Sequence, residues 1–314
     1  MIQGQGQTQS VPLIDIARKT PFVEAPRLAR RLGVELTIAS ETFQHTGSFK
    51  FRAAYNLASK VKERKIIAAS SGNFGQAMAY ACSLLGKSCI VVMPSTSAQV
   101  KIDAVREYGG VVDLTDVKIK GRAERVAELA TENPDAYIAS AYDDLLVIEG
   151  NASLGAELAA SGRGFDFVVA PVGGGGLTSG IINGLRAAGS DAKVVGAEPL
   201  MANDAARSLR AGHIVVNETE PQTLADGART VSVGQHNWAV LKDGISRIVE
   251  VPEEKLREGL RLLFSLANLK VEPTSALAIG ALLTEPDLFR GSRVCCVISG
   301  GNVDPEVYRA ILAG

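Results

Sequence analysis

The sequence predicts an α/β protein: two open, mainly parallel sheets covered by helices. Three observations predict it. Short apolar runs alternate with longer helical patterns along the 314 residues. Runs such as Cys89-Ile90-Val91-Val92-Met93 are apolar throughout, as strands covered on both faces should be. Loops rich in glycine and serine follow several of the runs and lead into helices, which is where open α/β sheets bind ligands.

Taken in order, strands are expected at 35–39, 66–69, 88–93, 111–114, 136–139, 165–170, 193–197, 247–251 and 293–298. Each is short and rich in Val, Ile, Leu and Ala. Helical periodicity fills most of the gaps, at 53–62, 75–85, 98–108, 120–131, 154–161, 178–188, 253–266 and 274–283. No Pro/Ser-rich linker, low-complexity tract or repeat divides the chain. A sheet of this many strands splits more readily into two packed units than it forms one. A small unit at 65–143 is therefore expected inside a large one made of 1–64 and 144–314, with a cleft between them.

Composition narrows the partners. A formal net charge of -1 gives no electrostatic footprint for nucleic acid or an anionic membrane. No apolar run reaches spanning length, and Met1 to Ser10 is polar, unlike a signal peptide. Cys82, Cys89, Cys295 and Cys296 form no C-x-x-C pair and lack a His cluster, which argues against zinc. They read as core thiols of a reduced, cytoplasmic protein, with Cys295 and Cys296 on opposite faces of one strand.

Four stretches carry chemistry. In Thr46-Gly47-Ser48-Phe49-Lys50 a polar turn leads into a lysine in the first turn of a helix. The helix field and desolvation both disfavour the ammonium there, leaving a neutral amine able to form a Schiff base. Taken alone, a lysine is most often a solvated surface residue. Ser70-Ser71-Gly72-Asn73 follows a strand and opens a helix, so its small residues let backbone N–H groups approach a carboxylate. Gly173-Gly174-Gly175-Gly176 does the same with four bare amides, a candidate phosphate cradle that does not fit G-x-G-x-x-G. Ser299-Gly300-Gly301-Asn302 puts a hydroxyl at a strand end. One decoy is set aside: Ala81 to Ser88 matches a relaxed phosphate-loop pattern, but it closes a helix and enters a strand, the reverse of the required order.

Together these stretches, with Leu224-Ala225-Asp226-Gly227 and Glu272-Pro273-Thr274, resemble the fold-type II pyridoxal-phosphate enzymes, specifically the serine/threonine dehydratase and serine racemase family. The resemblance runs from about Pro21 to Asn302 and implies the tryptophan synthase beta-like fold, with pyridoxal 5'-phosphate in the cleft. It implies that Lys50 holds the cofactor as a Schiff base and then acts as base at the substrate Cα. Phe49 would pack beside the cofactor ring, Asn73 would bond its phenolic oxygen, Gly173 to Gly176 its phosphate, and Ser299 its pyridine nitrogen. Ser70, Ser71 and Gly72 would bind the substrate carboxylate, and Ser71 would handle the proton on the opposite face of Cα in racemising members. Glu198, Ala202 and Asp204 resemble the family's cation site, an oxygen set suited to Mg²⁺ or Ca²⁺.

The implied activity is an ammonia-lyase (dehydratase) converting a threonine- or serine-like β-hydroxy amino acid to a 2-oxo acid, in a cytoplasmic homodimer. Amino acid racemisation and cysteine synthase-type β-replacement are the alternatives, and a catalytically silent amino-acid-binding protein is a third class that an intact Lys50 opposes. Three departures bear on substrate. Phe74 stands where many members have His, Ser140-Ala141 where His-Pro is common, and Asn151-Ala152-Ser153 in place of Gln-Gly-Thr. With Phe74 beside the substrate and Asn151 shorter than Gln, the expectation is a roomier, less polar pocket that favours bulky or apolar β-hydroxy amino acids and handles hydroxyaspartate poorly.

Overall fold

Strand β1 (Phe22–Glu24) is followed by β2 (Glu35–Ser40), β3 (Lys65–Ala69), β4 (Ser88–Pro94), β5 (Val111–Thr115), β6 (Ala136–Ala139), β7 (Phe167–Pro171), β8 (Lys193–Pro199), β9 (Ile245–Val251) and β10 (Arg293–Ile298). The computed structural model describes residues 11–70, 72–97 and 99–314. Within them the strands form a six-stranded sheet of order β1-β2-β10-β7-β8-β9 and a four-stranded sheet of order β5-β4-β3-β6. Every pairing is parallel except the edge pair of β1 and β2. The two mainly parallel, helix-covered sheets are those expected from the alternating pattern.

Register explains why the loops of interest meet. Ile298 lies opposite Ser40, and Cys296 opposite Val169. The loops that leave β2, β10 and β7 therefore emerge side by side on one edge, and they are the loops holding Lys50, Ser299 and the four glycines. In the small sheet the serine loop leaves the interior strand β3.

The core follows from the same parallel geometry. Pro273–Thr284 is a helix whose residues Pro273 to Leu282 are all buried, and it packs on β7, β8, β9 and β10. A helix apolar on every side belongs inside a covered sheet. On the opposite face Leu145–Ala160 and Gly176–Ala187 pack so closely that a Cβ on Gly184 would lie 2.2 Å from the Ala152 carbonyl. Cys295 and Cys296 enter two different apolar clusters on the two faces of β10, and all four cysteines are free and buried. Among the described residues no helix is long and apolar enough to cross a membrane.

Several elements differ from expectation. The Leu145–Ala160 helix begins nine residues before the expected 154 because the Asp144 side chain accepts from the Leu146 N–H and caps it. Edge strand β1 is too short to show alternation, and Pro26–Leu32 and Asp204–Ala211 carry so many arginines and alanines that no apolar stripe stands out. Helices Gln235–Gly244 and Pro305–Ala313 were likewise not expected.

Candidate active site

Lys50 opens the helix Lys50–Lys60, and the turn before it is shaped from a distance. Thr46 and Gly47 adopt left-handed conformations, with φ of 58° and 72°. Asn302 Nδ2 donates to the Thr46 carbonyl at 2.7 Å, Gly301 N–H to the Gly47 carbonyl at 3.0 Å, and Phe49 N–H to the Ser299 carbonyl at 3.0 Å. A side chain on Gly47 would strike Asn302 Oδ1 at 2.6 Å, so the residue must be glycine. The lysine turn is thus zipped to the Ser299–Asn302 loop.

Behind the lysine the helix is anchored by Arg52, whose buried guanidinium donates to Glu41 at 2.8 Å, Glu157 at 2.7 Å, Ser153 at 3.0 Å and Thr20 at 2.9 Å. Burial alone would lower the Arg52 pKa. Glu41, then Glu157, reverse that and hold the cation above its ordinary range.

The Lys50 amine is withdrawn from solvent. Nζ donates to the Ala141 carbonyl at 2.7 Å and stands 5.0 Å from the Phe49 ring centre and 5.6 Å from that of Phe74. Desolvation pulls its pKa down to about 8, against a smaller opposing pull from Glu272. Near neutral pH an appreciable share of the amine is neutral and nucleophilic. The cause is burial, more than the helix field.

Asn73 opens the next helix, Asn73–Leu84, and bridges the two sheets. Its Nδ2 donates to both oxygens of Glu272, at 3.0 and 2.8 Å, while its Oδ1 accepts from Asn302 at 2.8 Å. Glu272 is 3% exposed. Burial raises its pKa to about 7, helped by Asp226 and opposed by Asn73, Lys101 and Lys50. Ser70 is buried, and its Oγ accepts from the Gly72 N–H at 3.3 Å. Ser71 lies outside the described residues. Phe74 is 2% exposed and packs in the apolar cluster of the small sheet with Met78 and Phe51. It faces Lys50 without lining open space.

The glycine loop is hemmed in on two sides. A Cβ on Gly174 would lie 2.2 Å from the Tyr142 ring, and one on Gly173 would lie 2.9 Å from Ala228 Cα. Gly175, at φ 94°, turns the chain into the helix that starts at Gly176, whose first N–H groups have no intrahelical acceptor. Bare amides at a helix start fit a phosphate. At the far wall Ser299 Oγ is buried 3.0 Å from Ser275 Oγ. A neutral-prone lysine, an anion cradle and a neutral hydroxyl form the donor set that pyridoxal phosphate requires.

One expectation is corrected. Asn151 does not widen a substrate pocket: it is buried and donates to the Gly176 carbonyl at 3.0 Å. The two Glu198 oxygens accept from the Ala205 and Ala206 N–H groups at 2.8 Å each and cap the Asp204–Ala211 helix, and each keeps a further lone pair. Among the described residues no group of three or more His, Cys, Asp or Glu side chains is placed to hold a metal. Asp204 Oδ1 accepts from Asn217, but Oδ2 is buried without a partner. Burial, then the nearby Asp204, raises the Glu198 pKa well above its usual value, and burial raises that of Asp204 to about 6.

Comparison with known proteins agrees with this geometry. A family model described as "Pyridoxal-phosphate dependent enzyme" matches residues 13–300. A protein named L-threo-3-hydroxyaspartate ammonia-lyase from Pseudomonas sp is 35% identical over 302 residues, covering 95% of this chain and 94% of that one. Human serine racemase is 32% identical over 303 residues, covering 92% and 88%. The crystal structure of a threonine deaminase from T.th. superposes with a TM-score of 0.88 at 38% identity, covering 93% and 95%.

Proposed function

The chain belongs to the pyridoxal-phosphate-dependent enzymes, and from that premise we propose that it is an ammonia-lyase that converts a β-hydroxy amino acid to a 2-oxo acid and ammonia. The observation that carries the reading is the Lys50 amine, its pKa brought down to about 8 by burial, set on the edge where the glycine loop and Ser299 also emerge. When bound, pyridoxal phosphate supplies an aldehyde for amines and an electron sink for the pair left on Cα.

The chain's residues do the rest. Lys50 Nζ would hold the cofactor and, as a free amine, would take the Cα proton. Amides from Gly173 to Gly176 hold the phosphate. Asn73 would bond the phenolic oxygen and Phe49 would pack on the ring face. Ser70, Ser71 and Gly72 bind the substrate carboxylate. Ser299 meets the pyridine nitrogen as a neutral hydroxyl, which cannot keep a proton there as a carboxylate would. That neutrality favours prompt loss of the β-hydroxyl as water. The small sheet, within 65–143, carries the substrate loop, and 1–64 with 144–314 carries the cofactor.

Within this class we favour 3-hydroxyaspartate over apolar substrates, which reverses the expectation drawn from Phe74. The ring is buried in the small-sheet core, so it gives no ground for excluding a second carboxylate. The hydroxyaspartate names of relatives at 35% identity point the same way. The test is kcat/KM for serine, threonine, phenylserine and threo-3-hydroxyaspartate, read as 2-oxo acid and ammonia, with product chirality followed to catch racemisation. Preference for phenylserine over hydroxyaspartate would restore the apolar pocket; release of neither product from any of them would sink the lyase reading.

The same proposal includes a cytoplasmic homodimer and a hard cation, Mg²⁺ or Ca²⁺, held by Glu198, Asp204 and the Ala202 carbonyl. The unpartnered, buried Asp204 Oδ2 beside a second carboxylate supports the cation. Chelation should then lower the melting temperature, and Asp204→Asn should abolish the response. Melting indifferent to chelator and to added Mg²⁺ or Ca²⁺ would remove the cation from the account.

A further inference from the structure

Two buried asparagines stand behind the glycine loop and hold its carbonyls. Asn237 Nδ2 donates to the Gly174 carbonyl at 2.8 Å and to the Tyr142 carbonyl at 2.9 Å. Asn151 Nδ2 donates to the Gly176 carbonyl at 3.0 Å. Both residues are about 1% exposed or less, and the Oδ1 atom of each is buried without a partner. An unpaired buried acceptor is destabilising, so each amide is held in place by what its donor side does. Turned over, either would press an oxygen against a carbonyl oxygen.

The carbonyls they hold matter because a trans peptide is planar: its C=O and the following N–H point in opposite directions. Fixing the Gly174 oxygen therefore fixes the Gly175 N–H on the other side, and fixing the Gly176 oxygen does the same for the Leu177 N–H. Gly174 and Gly175 are the residues least able to resist a peptide flip, since glycine takes either sign of φ. A flip would exchange a donor for an acceptor in the anion cradle. The Gly234 N–H also reaches the Gly174 oxygen, at 3.1 Å, but only Asn237 ties that oxygen to the Tyr142 backbone that walls the loop. The helix bearing Asn237 is itself fixed at its start by Asp143, whose carboxylate accepts from the Gln235 and His236 N–H groups at 2.9 Å each.

We infer that Asn237 and Asn151 are positioning residues for the phosphate of the cofactor: their side-chain amides hold the Gly174 and Gly176 carbonyls away from the anion and so present the following N–H groups to it. The inference rests on the cofactor reading above and names what gives that loop its anion preference.

The test compares two probes on apoprotein, pyridoxal 5'-phosphate and pyridoxal, which differ only in the phosphate. Binding is followed by absorbance, and the ³¹P resonance of bound pyridoxal phosphate is recorded in parallel. Asn237→Ala should weaken pyridoxal phosphate binding about 10- to 100-fold while leaving pyridoxal within about twofold, and should move the ³¹P resonance. Asn151→Ala, which removes a single donor, should show the same selective loss to a smaller degree, and it carries the test if Asn237→Ala does not fold. Equal losses for the two probes would mean that the asparagines only support the fold, and unchanged binding would leave them without a role; either result overturns the inference while the cofactor reading stands. Wild-type protein that binds neither probe would overturn both.

Discussion

Two candidate anion-binding loops, Gly173–Gly176 and Ser70–Asn73, are held in different ways. Both follow a parallel strand and open a helix. The Gly173–Gly176 loop is clamped: Tyr142 and Ala228 wall it, and Asn151, Gly234 and Asn237, from two other segments, donate to its carbonyls. Among the described residues of the Ser70–Asn73 loop, the Ser70 N–H donates to the Val92 carbonyl at 3.1 Å. A Cβ on Gly72 would meet nothing within 4 Å, and the Asn73 side chain is tied chiefly across the cleft, to Glu272 and Asn302 of the other sheet's side. The contrast matches two kinds of guest. A cofactor that stays through many turnovers suits a cradle finished in advance, since preorganised donors need no rearrangement. A substrate that arrives and leaves suits a loop whose restraints run across the cleft it enters.

The largest break in this comparison is at the residue both loops serve. Lys50→Ala should abolish turnover, since nucleophile and base are lost together. Borohydride reduction followed by peptide mapping should label Lys50 in the wild type and nothing in the variant; a label on another lysine would move the site.

A sharper break separates the loops. Gly174→Ala must displace the Tyr142 ring, so it should destabilise the protein by about 1–3 kcal/mol and empty it of cofactor. Gly72→Ala has open space and should change stability by less than about 0.5 kcal/mol, raising KM while cofactor content holds. Melting curves and bound-cofactor absorbance for the pair decide it, and equal cofactor loss from both would erase the distinction.

A third effect concerns the strap between the loops. Glu272 has its pKa raised to about 7, so folding favours its protonated form. Its stabilising share is fully present below the unfolded value of 4.5 and is lost as pH rises through about 7, an effect of up to about 3 kcal/mol. Urea unfolding of Glu272→Gln should show a flatter stability profile than wild type between those values. Parallel profiles would mean that the carboxyl does not titrate in the strap.

The parts of the site legible in the sequence are those where local geometry demands a residue type. Gly175 at positive φ, the lysine at a helix start and the hydroxyl at the end of β10 each leave a mark within a few residues. The sheet order was legible only as parallel alternation, because which strands become neighbours depends on packing. What stayed hidden depends on distant partners. Asn237 reaches a carbonyl 63 positions away and Asn151 one 25 away, and neither spacing leaves a periodic trace. Phe74 and Asn151 misled for the same reason: their place beside a motif suggested a pocket, whereas tertiary packing buried both. The three residues of β1 were too few to show a pattern.

The zipper between the lysine turn and the Ser299–Asn302 loop also sets a schedule for biosynthesis. Asn302 grips Thr46 across 256 positions of chain, and β2 waits for β10 as its parallel neighbour. At about 5–20 residues per second a ribosome needs roughly 12–50 s to make that span. The small sheet, complete by residue 139, can assemble first from nearby strands, but the turn that presents the lysine stays unsupported until residue 302 is made. Nascent chains should therefore acquire the small unit early and the capacity to bind cofactor only once Asn302 has emerged.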